Sequence, residues 1–222
     1  MKKVVLLHAF PLDERMWEPQ REALNSRGHD AVTPNLYRLG RTMDEWAEAV
    51  LDGVDGRFAL CGASMGGYCA LALARRAPDR VAALLLAGAR AEPDSPERRE
   101  GRAATIELIR ESGAAGLWED MRSKLFAEDA PSEAVDAARQ IALEQEPDDL
   151  VRAVEAIRDR RDSTGVIASL EAPVVVAVGE RDPFLPVDEA PSGRLQVFHG
   201  VGHLPNLERP HEFNRLLLES IA

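Results

Sequence analysis

The stretch that decides the fold is FALCGASMGG, residues 58–67. Its first four residues form an apolar run that is typical of a strand buried on both faces. A helical stretch follows from Met65 to Arg76. Between the two, residues 62–66 form a Gly-x-Ser-x-Gly motif, which arises by chance in about one such sequence in twenty. Its place between a strand and a helix therefore carries more weight than the motif alone.

A serine between a strand and a helix is the setting expected for a hydrolase nucleophile. The sharp turn presents the Ser64 hydroxyl, while Gly62 and Gly66 leave room for the strand and the helix to approach each other. The N-terminus of the helix carries partial positive charge, which favours a developing oxyanion. The motif predicts that Ser64 is a nucleophile.

Several short apolar runs bounded by Gly, Pro or charged residues indicate further strands. Helical stretches such as Met43–Leu51 separate them. This alternation predicts an α/β fold with a mostly parallel sheet of about six strands flanked by helices. The candidate strands are Val4–Leu7, His29–Thr33, Phe58–Cys61, Val81–Ala87, Val174–Val178 and Leu195–Phe198.

The alternation stops between residues 91 and 163, where no strand-like run appears. Ser95 and Pro96 are suited to the N-cap and first position of a helix, and apolar residues at helical spacing follow. No Gly/Ser/Pro-rich linker flanks the segment. The sequence predicts one core, residues 1–90 and 164–222, with a helical cap inserted at 91–163.

Composition and charge exclude several classes of protein. The chain has 222 residues, 45% of them hydrophobic, which favours a globular protein over a disordered one. Its net charge of −11 argues against a nucleic-acid or anionic-membrane partner. No apolar run approaches the ~18 residues of a membrane span, and Val4–Leu7 is too short for a signal peptide. Two cysteines are too few for a disulfide scaffold, so a cytoplasmic protein is expected.

A serine nucleophile needs a base, and five histidines are available. His203 lies in a glycine-rich loop directly after the last candidate strand, which favours it as the catalytic base. His29 lies in a turn, His199 ends the last strand and His211 follows a proline, so these three are interpreted as structural.

The base in turn needs a carboxylate to orient it. Asp182 follows the candidate strand Val174–Val178 and precedes His203 by 21 residues. Catalytic groups of open α/β sheets gather at the carboxyl ends of strands, which favours Asp182. Glu180 and Asp94 are the alternatives.

The oxyanion requires two hydrogen-bond donors. The backbone N–H of Met65, directly after the nucleophile, is the first candidate. The backbone N–H of Phe10, in the loop after the first strand, is the second. In the alternative interpretation, Phe10 and His8 are ordinary packing residues.

At these motifs the chain resembles the α/β-hydrolase superfamily, in its branch of small bacterial esterases, enol-lactonases and carbon–carbon bond hydrolases. The order Ser64, Asp182, His203 is that of the superfamily. The resemblance implies an eight-stranded sheet with a helical cap and no cofactor or metal. The matching stretches are residues 6–11 (LLHAFP), 16–17 (MW), 62–67 (GASMGG), 178–182 (VGERD), 202–205 (GHLP) and 208–210 (ERP).

The chain departs from the superfamily pattern in three places. It starts at the third strand of the family, which is why about six strands are expected. His8-Ala9 replaces the usual His-Gly, next to the proposed Phe10 donor. The segment between Asp182 and His203 leaves little room for the usual helix, so a loop is expected there.

These residues together predict a carboxylesterase that forms an acyl-enzyme on Ser64 with small-molecule ester substrates. Phe10, Trp118 and Phe126 are candidates to line the substrate pocket. No Arg- or Lys-rich motif adjoins Ser64, so the sequence does not indicate a charged substrate. An enol-lactonase or a hydrolase of vinylogous diketones remains an alternative, as does a non-enzymatic ligand sensor or regulatory partner. The sequence does not specify an oligomeric state.

Overall fold

Six parallel strands form one sheet in the computed structural model, which describes residues 2–222. Their order across the sheet is β2-β1-β3-β4-β5-β6. All six predicted strands are confirmed, and no bound differs from the prediction by more than two residues. The strands are Lys3–Leu7 (β1), Asp30–Val32 (β2), Phe58–Ala63 (β3), Val81–Ala87 (β4), Val174–Gly179 (β5) and Arg194–Phe198 (β6).

Nine α-helices connect and cover the strands within residues 2–222. The helix predicted over Met65–Arg76 has those bounds, and the one predicted from Met43 extends to Gly53. None of the helices in this range combines the length and apolarity needed to cross a membrane. The helices are Glu18–Ser26 (α1), Met43–Gly53 (α2), Met65–Arg76 (α3), Pro96–Leu125 (α4), Ser132–Leu143 (α5), Pro147–Arg158 (α6), Thr164–Ser169 (α7), Pro205–Glu208 (α8) and Pro210–Ser220 (α9).

Helices cover both faces of the sheet, and successive side chains of a strand, which point in opposite directions, are therefore buried on both sides. In β1, Val5 and Leu7 pack with α2, α3 and α6 on one face. Val4 and Leu6 pack with α1, α5 and α9 on the other. Runs without polar alternation are therefore what these strands require.

The segment 91–163 holds α4, α5 and α6. Ser95 caps α4 by accepting a hydrogen bond from the amide of Arg98 at 3.3 Å, as its sequence suggests. Gly113 has φ +62°, so α4 bends there into two helices of different direction. The division into a core and an inserted cap stays a prediction.

Between Asp182 and His203 the chain forms β6 and one three-residue 3-10 turn, Val187–Glu189. No α-helix precedes the last strand in this segment, which is the loop that its length predicts. The loop places Phe184 beside the sheet edge where the candidate site lies.

Candidate active site

The four candidate site positions on the core follow different strands of the sheet. Phe10 comes after β1, Ser64 after β3, Asp182 after β5 and His203 after β6. Because all six strands are parallel, their carboxyl ends share one edge of the sheet. Phe10, Ser64 and His203 line one cavity at this edge, and Asp182 contacts His203.

Ser64 sits on a strained turn between β3 and α3. Its φ is +48° and its ψ is −113°, and no other non-glycine residue in 2–222 has positive φ. The turn is fixed because the Ser64 amide donates to the carbonyl of Ala87 at 2.7 Å. The Ser64 carbonyl accepts from the amides of Gly67 at 2.8 Å and Tyr68 at 3.2 Å. Strain held in place by neighbouring structure is characteristic of functional residues.

The glycines beside Ser64 are required by close backbone contacts. A Cβ atom on Gly66 would lie 2.0 Å from the carbonyl oxygen of Leu7, and one on Gly62 would lie 2.4 Å from that of Gly66. Both are backbone contacts, so no side chain can move aside. The spacing that predicted a nucleophile turn is thus also the spacing that lets α3 approach β1 and β3.

Gly66→Ala is expected to lower the free energy of unfolding by about 3 kcal/mol or more, because the added methyl group overlaps the backbone of Leu7. Urea denaturation at constant pH measures the change. Gly165→Ala is the matched control, since a Cβ at Gly165 meets nothing within 4 Å; it should change stability by less than about 1 kcal/mol. Equal stability of both variants would contradict this account of the turn.

Asp182 and His203 form a buried pair. Asp182 Oδ2 lies 2.8 Å from His203 Nδ1, and the two side chains are 0% and 2% exposed. Asp182 Oδ1 accepts hydrogen bonds from the amides of Phe184 at 2.8 Å and Leu185 at 3.2 Å. With Nδ1–H donating to the carboxylate, the other ring nitrogen of His203, Nε2, is left as an acceptor.

Three further contacts orient His203. Its amide donates to the carbonyl of Leu125 at 3.0 Å, at the end of α4. The ring of Phe184 packs edge-on against its imidazole, with centroids 4.7 Å apart. The adjacent Gly202 amide donates to the Glu208 carboxylate at 2.9 Å. His203 is therefore held from α4, from the loop after β5 and from α8.

The alternative carboxylates do not contact His203. Asp94 has a fully buried side chain that accepts hydrogen bonds from Arg160 at 2.6 Å and Arg102 at 3.0 Å. Glu180 lies at the surface beside His199, at 3.3 Å. Among the predicted acids, the structure brings only Asp182 to the predicted base.

Glu208 is a buried residue that sequence reasoning did not single out. It is 2% exposed and also accepts from the amide of Ala127 at 3.3 Å. Burial raises the pKa of its carboxyl. The Glu208 carboxylate thus accepts hydrogen bonds both from the His203 loop and from the segment that follows α4. Its place in the stretch 208–210, which matches the family pattern, is the sequence feature that could have identified it.

His8 is buried and holds the loop that carries Phe10. Its Nδ1 lies 3.2 Å from the carbonyl oxygen of Ala9, and its Nε2 accepts from the Leu36 amide at 2.9 Å. Burial lowers the pKa of His8 to about 4, so the ring is neutral at pH 7. This arrangement agrees with the alternative interpretation of His8 as a structural residue.

His8 should make the fold sensitive to acid. The unfolded state binds a proton below pH 6.5, whereas the folded state does so only near pH 4, so stability falls as pH drops through this window. At pH 4.5 the loss should reach about 2.5 kcal/mol relative to pH 7.5. Unfolding free energies of the wild type and His8→Gln at both pH values measure it. Parallel pH profiles for the two proteins would refute the assignment.

The two predicted oxyanion donors are unpaired in this structure. Within residues 2–222, the amide N–H groups of Phe10 and Met65 donate to no acceptor. Both residues are nearly fully buried, at 5% and 0% exposure. A buried amide without a partner costs free energy, which is consistent with a donor kept for a ligand. The catalytic role of these amides stays a prediction.

The cavity that contains Ser64 and His203 has a volume of about 510 Å³. This size suits a small molecule. Apolar contacts come from Phe10, Met121 and Phe184. The remaining lining is rich in charged side chains.

Two predicted pocket residues do not line this cavity. Trp118 and Phe126 are 1% and 5% exposed, pack against each other with ring centroids 6.3 Å apart, and belong to the core on the α9 side of the sheet. The prediction was wrong because α4 bends at Gly113 and directs this part of the helix into the core. Met121, from the same half of α4, reaches the cavity instead.

The charged lining is the feature that the sequence did not indicate. Five basic side chains share the cavity with Ser64, although none is near it in the sequence. Among residues 2–222, no cluster of three or more His, Cys, Asp or Glu side chains is arranged to hold a metal ion. The basic residues are Arg90, Arg98, Arg102, Lys124 and Arg160.

A sequence profile described as the alpha/beta hydrolase family matches residues 4–216. The chain is 27% identical to a pimeloyl-[acyl-carrier protein] methyl ester esterase of Nitrosomonas europaea, over 95% of this chain and 92% of that protein. It is 29% identical to a 2-hydroxy-6-oxononadienedioate/2-hydroxy-6-oxononatrienedioate hydrolase of Pseudomonas putida, over 73% of this chain and 62% of that protein.

Among solved structures, a thermophilic esterase from Thermogutta terrifontis with malate bound is similar over 99% of this chain and 89% of its own. The TM-score is 0.91 and the sequence identity 33%.

Proposed function

The chain belongs to the alpha/beta hydrolase family, and from this premise we propose that it is a serine esterase that hydrolyses small carboxylic esters. One observation carries the proposal: the Asp182–His203 pair, joined at 2.8 Å, opens into the same cavity as a serine on a strained turn. A nucleophile, a base and a carboxylate that orients the base are the parts that acyl transfer requires.

The mechanism follows from the hydrogen bonds of the pair. His203 accepts the Ser64 proton at Nε2 while Nδ1–H stays bonded to Asp182, so Ser64 Oγ attacks the ester carbonyl carbon. Collapse of the tetrahedral intermediate breaks the ester C–O bond, and His203 returns the proton to the departing alcohol. Water, deprotonated by His203, then attacks the acyl carbon; the bond from that carbon to Ser64 Oγ breaks, His203 returns the proton to Oγ and the acid is released.

Two backbone amides would stabilise the oxyanion in both steps. Met65 offers the N–H that follows the nucleophile, and Phe10 offers one from the loop after β1. Both are free of protein acceptors within residues 2–222. The N-terminus of α3, directed at the same turn, adds favourable partial charge.

The ester class is supported by the relatives. The similar proteins from Nitrosomonas europaea and Thermogutta terrifontis are both described as esterases and are matched over nearly the whole chain. A second candidate, carbon–carbon bond hydrolysis, is favoured by the Pseudomonas putida relative, whose name describes a hydrolase of an oxo-dienedioate. The same three residues would serve either reaction.

A series of p-nitrophenyl esters, from acetate to palmitate, tests the proposal beside Ser64→Ala. We expect Ser64-dependent turnover that is highest for short acyl chains, because the cavity is about 510 Å³. Turnover of a vinylogous diketone but of no ester would favour the second candidate. Turnover of neither, with ligands bound but not transformed, would favour a sensor and contradict the proposal.

A further inference from the structure

The cavity at Ser64 has a charge opposite to that of the chain. The protein carries a net charge of −11. The cavity lining nevertheless contains five basic side chains and only two acidic ones, Asp94 and Glu189. A basic lining in an acidic protein concentrates positive potential at one place, and walls of low dielectric constant strengthen it.

The ion pairs inside the cavity leave positive charge uncompensated. The Asp94 carboxylate forms ion pairs with two guanidinium groups, those of Arg102 at 3.0 Å and Arg160 at 2.6 Å. The Glu189 carboxylate also pairs with two, those of Arg90 at 2.5 Å and Arg98 at 3.9 Å. Four guanidinium groups therefore share two carboxylates.

Lys124 adds no further excess, because its ammonium group pairs with Asp120 at 2.8 Å. The net excess in the lining therefore comes from the four arginines alone. Two unit charges remain for a ligand to neutralise.

Two of the four arginines are buried and donate hydrogen bonds to backbone carbonyls of the protein. Arg160 is 4% exposed at its side chain and donates to the carbonyls of Ile157 and Glu92, at 2.8 and 2.9 Å. Arg90 is 9% exposed at its side chain and donates to the carbonyl of Phe184 at 2.8 Å. These two hold the walls of the cavity.

Arg98 and Arg102 have guanidinium N–H groups that make no hydrogen bond to residues 2–222. They lie four residues apart in α4, so they occupy one face of the helix. The guanidinium of Arg102 uses only Nε, and that of Arg98 makes no hydrogen bond to residues 2–222. The side chain of Arg98 is 39% exposed and that of Arg102 is 24% exposed, and both line the cavity.

We propose that Arg98 and Arg102 bind a carboxylate of the substrate, at a distance from the ester that Ser64 attacks. The substrate class is then esters that also carry a free carboxylate, such as monoesters of short dicarboxylic acids. A guanidinium offers paired N–H donors that match the two oxygens of a carboxylate. This inference rests on the proposed esterase function and adds the substrate class of the same site.

Monomethyl adipate and methyl hexanoate test the inference, because they differ only in a carboxylate in place of the terminal methyl group. Base uptake at constant ionic strength gives kcat and KM for each. We expect kcat/KM to be about 10- to 100-fold higher for monomethyl adipate, chiefly through KM. The preference should shrink as salt is added, because salt screens partly exposed charges.

Arg98→Gln and Arg102→Gln should each remove most of this preference, because they should lower kcat/KM for monomethyl adipate much more than kcat/KM for methyl hexanoate. Arg98→Gln is the cleaner variant, since Arg102 also pairs with the buried Asp94. Arg110→Gln is the matched control: Arg110 lies on α4, is exposed and pairs with Glu107 outside the cavity. It should retain the full preference.

Three results would overturn the inference. Equal kcat/KM for the two esters in the wild type would contradict the proposed substrate class. Equal loss of both activities in the arginine variants would assign Arg98 and Arg102 a structural role. Inhibition by inorganic phosphate as strong as that by adipate would indicate a general anion site.

Different results would refute the proposed function and this inference. Ser64-dependent hydrolysis of methyl hexanoate without a preference for monomethyl adipate would refute the carboxylate site alone. Hydrolysis of neither ester, with a Ser64 that does not react with fluorophosphonate, would refute both.

Discussion

Replacing Ser64 with alanine is expected to lower kcat/KM for a short-chain ester about 10⁴-fold or more. The change removes the attacking oxygen and keeps Cβ, so the turn with φ +48° is not altered sterically. The hydrogen bonds that fix this turn are made by the backbone amide and carbonyl of Ser64, so the variant retains them. We therefore expect an unchanged fold and a melting temperature equal to that of the wild type or higher.

Steady-state kinetics with p-nitrophenyl acetate and a thermal melt measure the two effects. Ser26→Ala is the matched control, because Ser26 lies on the exposed end of α1 and its hydroxyl bonds only to the carbonyl of Ala23. It should retain full activity. Activity of Ser64→Ala above a tenth of the wild type would show that another group attacks the ester.

Asp182→Asn is expected to lower kcat about 10³- to 10⁴-fold with little change in structure. The amides of Phe184 and Leu185 donate to Oδ1 of Asp182, so the oxygen of an asparagine would occupy that place. Its NH₂ group would then face His203 Nδ1 and donate to it. The ring proton would move to Nε2, and His203 could no longer accept the Ser64 proton.

Two other carboxylates serve as comparisons for Asp182→Asn. Glu180→Gln should retain near-full activity, because Glu180 lies at the surface and contacts His199 rather than His203. Asp94→Asn should mainly lower stability, since the buried Arg160 would lose its charged partner. If Asp182→Asn were active and Asp94→Asn were not, the assignment of the acid would be wrong.

The fold could be predicted because its signals are local in the sequence. Buried parallel strands require continuous apolar runs, and β4 and α3 have the bounds that such runs and helical spacing indicate. Ser64 and His203 also carry local signals, a glycine spacing and a glycine-rich loop. Asp182 was predicted from its position directly after a strand, and the parallel topology places its carboxylate beside His203.

The remainder of the site depends on contacts that no local pattern contains. Arg90 follows β4, Arg98 and Arg102 lie in α4, and Arg160 follows α6, so only the folded chain brings them together. Periodicity identifies the apolar residues of α4 but not the bend at Gly113, which sends Trp118 into the core. The loop-holding role of His8 depends on Leu36, 28 residues away.

The central claim is that Ser64 is a nucleophile activated by His203, and covalent labelling tests it most directly. Wild-type protein, Ser64→Ala and His203→Ala would be incubated with a fluorophosphonate and analysed by intact mass and peptide mapping. We expect one adduct on Ser64 in the wild type, none in Ser64→Ala and much slower labelling of His203→Ala. An unlabelled wild type, an adduct on another residue, or equally fast labelling of His203→Ala would contradict the claim.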